Sequence, residues 1–572
     1  MSIDTKTAPS RSCLSSVGLA ERLAIASVVC LGAIASLGIL GGLLDVRSVS
    51  FLSAVAVVAT GITCGLVTTR GSQRAGVDDV DVGRSVVIVP MVFLLSAARW
   101  LIRPAGTRLS WLVDTWDGTT NPGVVSYSVV SGNIGRDTTV LSQWETYPRA
   151  PHFAVAQLAR IAEGFGFGSA TDRATIYAIG LWFTYAVMLL AVGVVAMKLS
   201  YALGVPSRLA IVGAVVAQSM LMLAGNLEKT LLLHSLSFIA CIACCVSLVA
   251  VWISLDHATQ ISPRHLLVLS LHIVVVVETY PLMLPFVVVV LGLLVHRHRG
   301  RIPLHSVGAV TAFALPLAIA APRLLGQAQN SVTENQVSGG GHLLALSSFA
   351  VLVVVVVSTV AVGILATSHR PGRGAALVLA GAIAVPVAAW LLVGNFDRTY
   401  GANYYPKKAE LFVLVVVAAV VPAALLKALG RLITRMGPAS MAVTMVVVVL
   451  MATWNGPLSL PRLIESSSQS RRYVDIALHE ADNPSEVVIF GSNVTMSTYT
   501  SMLANLLDKN YWSVGYANDR LLRMFQQISV AKKETPPQEL CKMVSRRPAE
   551  LVIVDSKSTK RISCDSLDSS QP

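Results

Sequence analysis

Apolar residues run unbroken for the thickness of a bilayer many times along this chain, and polar residues gather in the gaps. Leu23–Leu44, Ile176–Met197 and Leu343–Leu365 each reach the ~20 residues at which a helix rising ~1.5 Å per residue crosses a ~30 Å hydrocarbon core. The pattern predicts about thirteen spans, at roughly 23–44, 49–67, 85–102, 174–198, 207–224, 230–254, 264–279, 281–296, 304–321, 343–366, 374–394, 409–427 and 438–454. Around Glu278-Thr-Tyr-Pro281 one apolar stretch is too long for a single crossing. A proline there breaks a helix interior, so a sharp reversal is predicted. The first run is too long for a signal-peptide core and lacks a cleavage site before the next span, so it is read as a helix.

Composition agrees with this pattern. The 572 residues are 54% hydrophobic and 13% charged, with mean hydropathy +0.66, about half the ~25% charge of a soluble domain. The fold class is therefore an α-helical polytopic membrane protein, with an N-terminal tail over 1–22 and a transmembrane region over 23–454.

The net charge of +13 needs no nucleic-acid partner, because lysine and arginine sit dispersed at span ends. Arg70, Arg74 and Arg84, then Lys198 and Arg208, Arg264, Arg297, Arg299 and Arg301, Arg370 and Arg373, and Lys427, Arg431 and Arg435 fall on one set of connections. The positive-inside rule places those connections and the N-terminus in the cytoplasm. The odd span count then puts the loop 103–173, Glu278–Pro281, Ala321–His342, Asn395–Lys408 and the C-terminal region outside.

From about Trp454 the composition becomes mixed and nearly charge-balanced. Glu486-Val-Val-Ile-Phe490-Gly-Ser reads as a buried strand running into a turn and Glu550–Asp555 as another, and Tyr499–Leu507 and Asp519–Ile528 have helical spacing. A small α/β extracytoplasmic domain over 455–572 is expected. Cys541 and Cys564 are its only cysteines and can pair in an oxidising space. Cys241, Cys244 and Cys245 share one apolar span and read as packing residues. Gly491-Ser-Asn-Val-Thr lacks the later glycines of a dinucleotide fingerprint, and no phosphate-binding Gly-x-x-x-x-Gly-Lys-Ser/Thr occurs.

Candidate chemistry concentrates in the polar loop 103–173. Asp114 and Asp117 flank Trp116, and turn signals follow at Asp117-Gly and Asn121-Pro-Gly. A carboxylate beside aromatic residues at a helix end gains basicity and suits proton removal from a hydroxyl. The same pair also suits a divalent cation such as Mg or Mn, or simply a wet loop. Tyr147-Pro-Arg-Ala-Pro-His152 leads into an amphipathic helix that can lie in the membrane interface. Pro151 fits a helix start, with Arg149 and His152 placed to meet an anion or, equally, lipid headgroups. Outside the loop, Glu278 is an ionisable group beside apolar runs, which is costly unless used or paired. His272 reads as a packed, hydrogen-bonded residue. Tyr404, Tyr405, Lys407 and Lys408 in Asn403-Tyr-Tyr-Pro-Lys-Lys408 suit sugar stacking and phosphate, or interface anchoring alone. Gly339-Gly-Gly lies in a loop that suits a lid.

This arrangement resembles the C-type (GT-C) polytopic glycosyltransferases, and is most similar to their actinobacterial members of arabinofuranosyl- and mannosyltransferase type. Their loop runs Trp-Asp-x-x-x-His and later Tyr-Pro-x-Gly-x-His. Here Trp116-Asp117-Gly and Tyr147-Pro148-Arg-Ala-Pro-His152 stand at those positions. Thr120-Asn121 replaces the first histidine and Ala150 the glycine. The resemblance implies Asp117 as base, Asp114 second, and a polyprenyl-phosphate sugar donor held by Tyr147, Arg149, His152, Glu278, Tyr404, Tyr405, Lys407 and Lys408. The acceptor would be a cell-envelope glycan or glycolipid, such as an arabinan. An envelope polymerase or ligase shares the donor and the membrane face. A lipid or polysaccharide transporter is the non-catalytic alternative, and would carry charges inside several spans.

Overall fold

The computed structural model describes residues 18–69, 77–114, 116–135, 149–223, 236–256, 261–300, 302, 306–329, 412, 415–416, 418–427, 468–482, 486–491, 493–508, 535–542, 549–554 and 558–565. In hydrocarbon a chain must satisfy its own backbone groups, so the apolar runs become helices. α1 (Gly18–Leu43), α2 (Phe51–Thr69) and α3 (Val77–Leu101) come first. α1 and α2 touch through Gly61-Ile-Thr-Cys-Gly65: a methyl at Gly65 would sit 2.5 Å from the Ala26 carbonyl oxygen. Small residues four apart are what lets two helix backbones approach this closely.

The connection after α3 is the first correction to the sequence reading. It is not mainly a loop. It folds as α4 (Ala105–Arg108), a 3-10 turn (Ser110–Val113), α5 (Trp116–Ser131) and α6 (Ala150–Gly164). The turn signals at Asp117-Gly and Asn121-Pro-Gly both lie inside α5, which carries Pro122 in its interior. The residue whose carbonyl the proline ring crowds is Gly118, and Val124, Val125, Tyr127 and Val129 of α5 are all buried. Packing overrides the local preference.

α7 (Ala170–Ala202) is the spine of the bundle. At 33 residues it is ~50 Å long, some 20 Å more than a hydrocarbon core needs. Its start is fixed by a capping box, Ser169 and Asp172 each bonding the other's backbone N–H. Around it stand α1, α3, α8 (Ser207–Leu223) and α9 (Leu236–Asp256). At the far end from that cap, Lys198 pairs with Glu21 of α1 at 2.8 Å, with Ser254 of α9 bonded to both.

Then follow α10 (Pro263–Val277), a 3-10 turn (Pro281–Met283), α11 (Leu284–Arg297), α12 (Val307–Gln329) and α13 (Ala418–Lys427). The chain leaves the helix at Glu278, where the sequence breaks. α1, α2, α7, α9 and α12 are long and apolar enough to cross a membrane. The protein is thus an α-helical membrane protein with a small sheet. The spans expected at 343–366, 374–394 and 438–454 lie outside the described residues.

α12 supplies a second correction. The connection expected from Ala321 is helical to Gln329, so Arg323 lies within a helix. Its charge is paired, as shown below, and therefore does not end the helix.

The C-terminal elements are α14 (Ser468–Glu480), β1 (Glu486–Gly491), α15 (Val494–Leu507), α16 (Pro537–Cys541), β2 (Ala549–Val554) and β3 (Thr559–Ser563). The sheet order is β1-β2-β3, with β1 parallel to β2 and β3 antiparallel. The expected strands appear as β1 and β2; β3, charged and mostly exposed, gave no apolar signal. The helical spacing at Asp519–Ile528 lies outside the described residues. Cys541 and Cys564 form a disulfide with a Cα separation of 5.4 Å, tying α16 to the end of β3.

One edge of β1 is closed by a helix instead of a strand. Asn505 exchanges two hydrogen bonds with Val487, at 2.8 and 3.3 Å. Ser501 accepts from the Ile489 N–H at 2.8 Å and donates to its carbonyl at 3.0 Å, and Ser497 accepts from Gly491 N–H at 2.9 Å. Two strand residues advance ~6.6 Å and four helix residues ~6.0 Å, so the ladder stays in step. Replacing Asn505 with leucine strands a buried N–H and C=O at a cost of roughly 1–3 kcal/mol. The expected outcome is amide exchange at Val487 and Ile489 accelerated by roughly 5- to 150-fold, read by hydrogen–deuterium exchange of the purified chain. Unchanged protection would mean that the ladder does not hold the edge.

Candidate functional site

The expected site residues divide sharply by environment. Glu278, capping the end of α10, is fully buried. Its Oε1 accepts from Arg323 Nε of α12 at 2.9 Å. Its Oε2 accepts from the Arg149 backbone N–H at 3.3 Å, and its carbonyl from the Ala150 N–H at 3.1 Å. These are the first N–H groups of α6, where the helix dipole favours a carboxylate. Glu278 therefore joins α6, α10 and α12. Sequence reasoning singled out Glu278 but missed its partner. The available signal was a second isolated ionisable residue, Arg323, among apolar neighbours.

Arg149 has a different balance. Its side chain is only 1% exposed, yet its guanidinium makes few bonds. Nη2 donates to the Gly135 carbonyl at 2.7 Å, and the group sits over the Tyr127 ring, 4.8 Å from its centroid. Nε and Nη1 are buried and have no hydrogen-bond partner among the described residues. Burial pushes the guanidinium below its ordinary pKa, with Tyr127 opposing this and Arg323 adding to it. An arginine nevertheless stays charged. Among the described residues, two arginines stand against one glutamate, and Nε and Nη1 of Arg149 have no acceptor. A buried cation so placed is energetically poor unless an anion completes it.

His152, two residues into α6 beyond Ala150, is fully buried and engaged on both sides of its ring. Nε2 lies 2.7 Å from the Asn121 amide oxygen of α5, and Nδ1 lies 3.4 Å from the Ser237 hydroxyl of α9. With the amide so oriented, Nε2 carries the proton and Nδ1 accepts. The Asn121 that replaces a histidine in the resembled pattern is thus the partner of the second motif's histidine. Two elements 31 residues apart in the chain meet inside the fold.

Asp114 ends the 3-10 turn and accepts from the Ser470 hydroxyl of α14 at 2.9 Å. Asp117 lies in the first turn of α5, three residues further on. The Asp117 side chain, Tyr147, Tyr404, Tyr405, Lys407 and Lys408 lie outside the described residues. His272 bonds the Val268 carbonyl at 2.7 Å and Ser247 at 3.2 Å, and Cys244 donates to the His272 carbonyl at 3.3 Å, so these side chains knit α9 to α10.

The C-terminal elements pack directly on this region. α15 lies against α5, where a methyl at Gly123 would meet Leu506 at 2.7 Å. Asp482 accepts from the Ala170 N–H that opens α7 at 2.9 Å, and Arg173 donates to the Leu507 carbonyl. Trp111, Leu112 and Val113 belong to one continuous core reaching from the helix bundle to Val487, Ile489 and Val552 of the sheet.

A divalent cation would require an oxygen-rich shell. Asp114 offers one carboxylate, already bonded to Ser470, and no group of three or more acidic, histidine or cysteine side chains converges among the described residues. The second candidate ligand, Asp117, has its side chain outside the described residues. Compared with known proteins, the chain matches no family model, no curated protein and no solved structure.

Removing one partner of a buried ion pair costs roughly 3–5 kcal/mol, because the other charge is left unpaired. Arg323→Met is therefore expected to lower the apparent melting temperature in detergent, and adding Glu278→Gln to recover much of the loss. Additive losses in the double variant would show that the two side chains do not act as a pair.

Proposed function

We propose that this protein is an integral-membrane glycosyltransferase that moves a sugar from a polyprenyl-phosphate donor to a cell-envelope glycan or glycolipid. The observation that carries this reading is Arg149, a buried cation two of whose donors have no acceptor among the described residues. Such a group suits an oxyanion that appears during reaction, since fixed donors in a dry site stabilise developing charge most strongly. Asp114 and Asp117 belong to the same connection, just before α5 and in its first turn, the latter ten helical residues from the Tyr127 over which Arg149 lies.

In the proposed reaction Asp117, with Asp114 as the second choice, takes the proton from an acceptor hydroxyl. The hydroxyl oxygen bonds to the anomeric carbon as that carbon's bond to the phosphate oxygen breaks. The electron pair leaves on the lipid phosphate. Arg149, with Lys407 and Lys408, meets that charge, while Tyr147, Tyr404 and Tyr405 flank the donor. The bonds of His152 to Asn121 and Ser237 suit bracing of α5 against α6 and α9 more than contact with substrate. Glu278 holds Arg323 and the start of α6 in place.

The full proposal has thirteen spans in a bacterial plasma membrane, the N-terminus cytoplasmic, and the C-terminal α/β region outside with the donor site. The disulfide supports the last point, because such bonds persist in oxidising spaces.

Asp117→Asn, Asp114→Asn and Arg149→Gln should each be placed in a strain deleted for the gene. Loss of growth or envelope glycan is expected from Asp117→Asn. Arg149→Gln should lower turnover roughly 100- to 1,000-fold, with lipid-linked sugar accumulating. Full complementation by both aspartate variants sinks the catalytic assignment. A reporter fused after Asp568 should read as external; a cytoplasmic signal overturns the orientation.

A further inference from the structure

α14 buries Tyr473, Val474, Ala477 and Leu478 and turns its other face to an open groove of about 830 Å³ beside β3. Between Ser468 and His479 that face is ~16 Å long. Among the described residues Ile476 is the one apolar side chain lining it.

Two of its guanidinium groups are held in place. Arg472 donates to the Ser558 carbonyl and, at 3.1 Å, to Thr559 of β3. Arg561 pairs with the buried Glu480, and lies 3.7 Å from Glu550. Arg471 and His479, both exposed, make no hydrogen bond or ion pair among the described residues. Arg561 is thus offset by Glu480 and Glu550, and Arg471 is the lining cation with no partner among the described residues.

One lining residue also touches the first long connection. Asp475 accepts from the Gly106 backbone N–H, and no Cβ would fit at Gly106 beside it. Ser468 at the groove's end lies two residues from Ser470, which donates to Asp114.

We propose that this groove holds an anionic glycan strand, a hydroxyl-rich chain bearing carboxylate or phosphodiester groups, laid along α14 with one end beside Asp114. Fixed donors and acceptors on one wall suit hydroxyl groups, and the exposed guanidinium of Arg471 suits the anions. Among the described lining residues no tryptophan, tyrosine or phenylalanine is present to stack a nucleobase, and Ile476 alone is apolar, too little to anchor a lipid tail. The inference rests on the transferase reading only for which end of the strand is reactive; the binding itself does not depend on turnover.

The test uses the full chain in nanodiscs, titrated with an oligogalacturonate, a glycerol-phosphate oligomer, a neutral malto-oligosaccharide of equal length and inorganic phosphate. At least one anionic oligomer should bind, at least ~5-fold more weakly to an Arg471→Ala, His479→Ala double variant, whose substitutions are exposed and leave the core intact. Which oligomer binds separates carboxylate from phosphodiester recognition. The proposal is overturned by no binding, by equal binding of the neutral chain, by equal binding of phosphate alone, or by a double variant that binds like the parent. Because binding is read without catalysis, failure of Asp114 and Asp117 as bases would leave this result standing.

Discussion

Glu278 is the constraint on which the candidate site depends. It is fully buried between apolar helices, and both of its carboxylate oxygens are committed, one to Arg323 and one to the start of α6. An isolated carboxylate there would be prohibitively unstable, so the glutamate fixes the separation of three chain segments that share no sequence proximity. Arg149 is a consequence of that geometry. Its backbone is pinned by Glu278 while its side chain is carried past it, into a place where, among the described residues, no carboxylate is left to pair with it.

A second organising fact is the length of α7. A helix longer than the membrane carries its first turns clear of the hydrocarbon, and the C-terminal elements hold on to those turns. Asp482 caps its first N–H and Arg173 reaches Leu507. The sheet region is thereby part of the wall behind α5, with Ser470 touching Asp114 and Leu506 packed on Gly123. A substitution in α14 or α15 reaches the acidic end of α5 through direct contact.

Much of this was legible in the sequence, and the failures are instructive. Apolar length located the helices and the break at Glu278, because hydrocarbon imposes the same demand on every backbone group. β1 and β2 stood out as short β-branched runs. Local turn chemistry misled at Asp117-Gly and Asn121-Pro-Gly, where burial of Val124, Tyr127 and Val129 holds α5 together through its proline. Arg323 was assigned to a connection because a charge ordinarily ends an apolar run; its neutraliser lies 45 residues away and leaves no local trace. The bond between Asn121 and His152 was equally hidden. Spacing identified both motifs as candidates, but only the fold places one against the other.

The Ser497–Ser501–Asn505 ladder bears on the order in which the C-terminal region can assemble. β2 begins nearly sixty residues after β1 ends, so during synthesis β1 exists for some time without its partner strand. A bare strand edge in that interval is a template for association with other chains. The residues that close one of its edges follow within twenty positions, on the very next helix. β1 and α15 can thus form a locally satisfied unit early, with only one edge left open, and that edge is the one β2 later takes. The nascent chain carries its own protection against mispairing.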